Sequence, residues 1–200
     1  MIRDLLAAFS MASVMALAQQ PGKPPAAPPP AASGQPPRVN ADALLSVQFV
    51  KRIEDYVALH KKLEATLPPR PEHATPQQVD AHAQALSKLL AGARPRAKQG
   101  DMLPSDTRAY LRRQIGRALN GPDRAGIRQS ITEDNPGRVK LQVNGRYPDG
   151  VPLTTMPPSV LAELPRLPED VEYRFIGTRL ILLDVHAQLV VDYMDAAIPS

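Results

Sequence analysis

The chain has 200 residues, with 24 Lys and Arg against 20 Asp and Glu and a formal net charge of +4. It holds no cysteine, which removes disulfides, thiol catalysis and thiolate metal sites, and no tryptophan with few other aromatics, which argues against a flat-ring platform for stacking bases or sugars. Its length suffices for one ordinary domain or two small ones.

Residues 5–17 run apolar behind Arg3 and Asp4 and close on Ala16-Leu17-Ala18. A run of this length suits a signal-peptide core and falls short of the roughly 20 residues that a bilayer anchor needs. Small residues at the two recognised positions, Ala16 and Ala18, place cleavage after Ala18. Residues 1–18 therefore read as a cleavable secretory signal. The expected product is periplasmic or secreted, with no integral membrane segment after cleavage. Residues 19–41 form a Pro-rich linker, with eight prolines from Pro21 to Pro37 among Gly, Ala, Ser and Gln. Such a stretch cannot bury a core and makes an extended spacer.

The helical region spans 42–134. In its first helix, predicted over 42–67, Phe49, Ile53, Tyr56, His60, Leu63 and Leu67 recur at spacings of four and three, which stacks them on one face. Lys51, Arg52, Glu54, Asp55, Lys61, Lys62 and Glu64 fall mostly on the other side, and Pro68-Pro69 stops the helix. Thr75-Pro76-Gln77-Gln78 opens a second helix with a capping box and proline in the first turn; its stripe is Val79, Ala83, Leu86, Leu90 and Ala93. The short connection predicts a helical hairpin. Ser105 is the expected cap of a third helix, which ends at Asn120 before Gly121-Pro122 and carries Tyr110, Leu111, Ile115 and Leu119 on its apolar side. A shorter helix is expected over 123–133.

The texture changes over 135–200. Val139, Leu141 and Val143 alternate with polar residues, which predicts a strand, and 157–164 allow two helical turns at most. The last thirty residues predict a three-stranded meander: 171–176, 179–185 and 189–194. The middle strand is apolar on both faces, as a central strand should be. Helices followed by strands give an α+β fold, an N-terminal helical hairpin or bundle followed by a small C-terminal antiparallel β-meander.

Residues 164–194 carry a distinctive pattern. Leu164-Pro165 and Leu167-Pro168 lead in, Tyr173 and Phe175 mark a strand, Gly177 turns, Leu180 to Asp184 form an apolar strand ending in Asp, and Leu189 to Asp192 repeat that ending. The wider segment 149–199 resembles the C-terminal region of exported bacterial proteins of unknown function, and its core, 164–194, is similar to the small β-module of the periplasmic nickel/cobalt-homeostasis family. The resemblance implies a compact β-module and, as one option, a metal-responsive role; it assigns no residue.

No catalytic set, metal-ligand set or cofactor emerges from the spacing. His60 reads as a core histidine. His73 and His82 lack an H-E-x-x-H or comparable spacing. His186 stands in a tight turn beside Asp184; both read as turn residues, although an Asp-oriented imidazole is also the element of a hydrolase. Ser130 and Ser159 have no G-x-S-x-G context. From Arg94 to Arg128 there are nine Lys and Arg against three Asp and Glu. On the third helix Arg108, Arg112, Arg113 and Arg117 make a basic flank, extendable by Arg124 and Arg128, whose guanidinium forks suit phosphate or carboxylate. The expected partner is an anionic envelope component or another exported protein, not nucleic acid. Three readings stand: first an exported, envelope-associated binding module that is not an enzyme, then a periplasmic metal-responsive protein, then a hydrolase using His186 and Asp184.

Overall fold

The computed structural model describes residues 40–121, 124–133, 139–148, 150–152 and 156–198. The expected signal at 1–18, with Ala16 and Ala18, and the linker up to residue 39 lie outside them. Asn40 opens α1 (Ala41–Glu64) by accepting from the Asp42 N–H at 3.0 Å, which satisfies one of the donors a helix start leaves free. Thr75 and Gln78 close the expected capping box on α2 (Pro76–Ala93), Thr75 accepting at 3.3 Å and Gln78 at 2.8 Å. The third helix, α3 (Ser105–Leu119), differs from expectation at its start. Pro104 takes the cap position and Ser105 is already helical; proline's missing N–H costs nothing there. Helices α4 (Arg124–Glu133) and α5 (Pro158–Glu163) follow.

Strands β1 (Val171–Ile176), β2 (Arg179–Asp184) and β3 (Leu189–Met194) pair antiparallel in the order β1-β2-β3. The fold is α+β, with the helices before the meander and the apolar strand at its centre. A register shift between Leu182 and Leu183 moves the pairing from Asp192 to Val190, leaving Val191 as the extra residue of β3.

The sheet has two covered faces. Its inner face presents Val171, Tyr173, Phe175, Leu180, Leu182, Leu189 and Val191 to Phe49, Ile53 and Tyr56 of α1, Leu86 and Leu90 of α2, and Leu111 and Ile115 of α3. Fully burying one such Phe or Leu stabilises by about 2–3 kcal/mol before the entropy of ordering it is counted. The outer face packs Ile176, Ile181, Leu183 and Val190 under Tyr147, with Val139, Leu141 and Val151 against them. This corrects the strand expected over 139–143. The segment has no strand; it turns at Asn144, φ 58°, and makes a single bridge, Arg146 to Leu189. Its alternation serves to lay Val139 and Leu141 on the sheet. Val79 is corrected too: it is 37% exposed, outside the core stripe of α2.

Two buried aspartates tie the layers together, both on the inner face. Asp192 accepts the backbone N–H groups of Gly100, Met102, Leu103 and Tyr193 at 2.7–3.1 Å. This fixes the connection between α2 and α3, where Gly100 takes φ 96°. Burial pushes the Asp192 carboxyl above its usual range, with the four N–H groups pulling the other way. Asp184 is the second, and it builds the site.

Candidate metal centre

Tyr56, His60 and Glu64 follow at intervals of four along α1 and so share one face. The face ends against the β2–β3 turn. Asp184, fully buried at the end of β2, divides its oxygens. One accepts the N–H groups of His186 and Ala187 at 3.1 and 2.8 Å, which is the turn role expected of it. The other accepts the Tyr56 hydroxyl at 2.7 Å and faces His60 Nδ1 at 2.6 Å. Burial and the Asp184 charge push the Tyr56 phenol far up, so it stays a neutral donor. Arg94 lies over its ring, 5.0 Å from the centroid.

With Nδ1 engaged, His60 turns Nε2 to a cluster of further donors. Glu64 Oε2 is 3.2 Å from it and Asp170 Oδ1 is 3.9 Å away. Glu64 Oε1 in turn meets His82 Nε2 at 3.3 Å and His186 Nδ1 at 3.5 Å. Asp170 also meets Lys61 Nζ at 3.5 Å. The His60 and His186 rings lie 5.4 Å apart, edge to face. His186 Nδ1 is buried with no hydrogen-bond partner, although the side chain as a whole is 37% exposed. His60, Asp170 and His186 each offer one ligand atom, all within 4.8 Å of one another.

The titration of the cluster follows from its charges. Burial disfavours the His60 imidazolium, but the Asp184 hydrogen bond and the charges of Asp184 and Glu64 outweigh it and hold the pKa above the ordinary value of 6.5. Burial likewise raises Glu64, but the His82 hydrogen bond and the neighbouring imidazoles outweigh it, and the carboxyl sits below its ordinary 4.5.

Donors on one tetrahedral ion at about 2.0–2.1 Å stand roughly 3.3 Å apart, with imidazole centroids about 5 Å apart; the 5.4 Å between the His60 and His186 rings is close to this, while His60 Nε2 and Asp170 Oδ1, at 3.9 Å, would have to draw together on an ion. Asp184 on His60 Nδ1 is the outer partner that a ligating imidazole ordinarily has, fixing its tautomer and orientation. A set of imidazoles and carboxylates without sulfur suits Zn²⁺, Ni²⁺, Co²⁺ or Cu²⁺.

The fold thus gathers His60, His82 and His186, which sequence spacing left apart, and leaves His73 exposed in the connection between α1 and α2. Glu64, expected on the polar side of its helix, is the acceptor that links all three. Its place four residues after His60 was the available signal. Asp184 meets the backbone N–H of His186, and the imidazole it holds is that of His60. On the basic flank, Arg112 donates to the carbonyls of Asp195 and Ala196, Arg113 and Arg117 pair with Asp42, and Arg108 is half-buried. No family model matches the chain, and neither the curated proteins nor the solved structures contain a significant match to it.

Proposed function

We propose that this protein is an exported metal-binding module that holds a divalent transition-metal ion on His60 Nε2, Asp170 and His186, with Glu64 beside them. The observation that carries the reading is the convergence of those three ligand atoms within 4.8 Å, with Asp184 holding the far nitrogen of His60 at 2.6 Å. The signal-like residues 1–18 and the likeness of the β-module to the periplasmic nickel/cobalt-homeostasis family agree with it.

The other readings have less support. Arg112, Arg113 and Arg117 are each engaged within the chain, so an anionic partner would have to displace those contacts. For a hydrolase, neither of the two cavities beside β1, of about 740 and 350 Å³, serves as its cleft, because His60, Asp184 and His186 line neither of them.

Titration of the chelator-stripped protein with Co²⁺ tests the proposal. A bound ion should give the intense visible bands of low-coordinate cobalt, with Zn²⁺ competing them away. His186→Ala, a half-exposed turn substitution, should weaken binding at least about tenfold. Featureless spectra with no heat of binding would sink the reading.

A further inference from the structure

Three of the described aspartates are buried beside the sheet, Asp170, Asp184 and Asp192. Asp192 accepts four backbone N–H groups, and Asp184 accepts two together with the Tyr56 hydroxyl. Asp170, directly before β1, differs. Its side chain is 10% exposed, yet among the described residues its carboxylate receives no hydrogen bond. Lys61 Nζ lies 3.5 Å from its Oδ2, and His60 Nε2 lies 3.9 Å from its Oδ1. A carboxylate taken out of water needs a compensating partner, and buried polar groups in native folds ordinarily have one. A single ammonium at 3.5 Å is slight compensation. Lys61 keeps 66% of its side chain in water, where such a pair contributes little.

We propose that Lys61 is an internal competitor for the metal ion: it neutralises Asp170 in the metal-free centre and gives the carboxylate up when an ion enters. The proposal rests on the metal-binding reading above and adds how that site is regulated. His60 and His186 ligate as neutral imidazoles, so Asp170 is the charged member of the triad. It is therefore the group for which the ion and the ammonium compete. A dication on Oδ1 and an ammonium beside Oδ2 repel each other across one carboxylate. Among the described residues Asp170 is the one carboxylate with which Lys61 pairs, and its flexible four-carbon stem lets the ammonium turn to water.

A centre with its own competitor binds more weakly, and releases its ion faster, than the same ligands would without it. That is a disadvantage for a permanent structural ion and an advantage for one that is loaded and handed on. The rest of the site agrees with exchange. Three protein ligands leave a position for solvent or for an acceptor's ligand, as in open rather than closed sites, and His186 is 37% exposed on its turn.

The experiment measures Zn²⁺ affinity of the purified full chain by competition with a chromophoric chelator, and release by stopped-flow transfer to an excess of that chelator. Lys61→Met removes the ammonium and keeps the stem, Lys61→Arg keeps the charge, and Lys62→Met removes the charge of an exposed neighbour. Lys61→Met should bind roughly three- to tenfold more tightly than wild type and release more slowly. Lys61→Arg and Lys62→Met should stay within about twofold of wild type. Tighter binding is not an effect that a damaged fold produces. Equal or weaker binding by Lys61→Met would overturn the competitor role and leave the metal-binding reading standing, with Lys61 then steadying Asp170 as a ligand. An equal gain in Lys62→Met or Lys61→Arg would also overturn it. No Zn²⁺ bound by wild type or variants would remove both readings.

Discussion

At the scale of single residues, the charge state of the cluster sets how the metal-free protein responds to pH. His60 has a raised pKa in the fold, so its contribution is complete below about 6.5, its unfolded value, and fades as pH rises through the folded pKa. Glu64 has a lowered pKa, so its contribution is complete above its ordinary 4.5 and fades as pH falls through the folded value. These two groups together should favour the metal-free fold most between those limits, with their contribution to the melting temperature falling on either side. His60→Gln should flatten the alkaline limb and leave the acid limb, as thermal denaturation across the pH range will show; an unchanged alkaline limb would contradict the assignment. Loading an ion should reverse the alkaline trend, because imidazole must lose its proton to ligate.

At the scale of elements, Asp192 does for the α2–α3 connection what Asp184 does for the β2–β3 turn. Asp192→Ala strands several buried N–H groups and should cost about 3 kcal/mol in chemical denaturation, with hydrogen exchange rising first at Gly100, Met102 and Leu103. A cost under about 1 kcal/mol would mean that water replaces the carboxylate freely. Local rules made much of the architecture legible. The spacing of Phe49, Ile53, Tyr56 and His60, the Thr75–Gln78 box and the doubly apolar β2 are each encoded within a few residues. The larger misses depend on what lies across space, and the cap is a local one. Alternation at Val139 and Leu141 cannot say whether the chain pairs with a strand or lies over a sheet. Pro104 displaced Ser105 as cap through one residue of offset. The site was least legible: His60 meets Asp184 across 124 positions and His82 meets Glu64 across 18, and no short motif announces either contact.

At the scale of the molecule, the helices and the sheet share one core, and the donor cluster sits where α1, α2 and the β2–β3 turn meet at its margin. An ion there would crosslink segments more than a hundred residues apart in sequence. It should raise stability through linkage, by about 2.7 kcal/mol when free metal is a hundredfold above the dissociation constant. The measurement that bears most directly on the account is a crystal structure of the zinc-loaded chain with anomalous diffraction at the metal edge. Anomalous density is expected about 2.0–2.2 Å from His60 Nε2 and from an oxygen of Asp170 or Glu64, with Asp184 still on His60 Nδ1. Density only at the exposed His73, or none near His60, would contradict it.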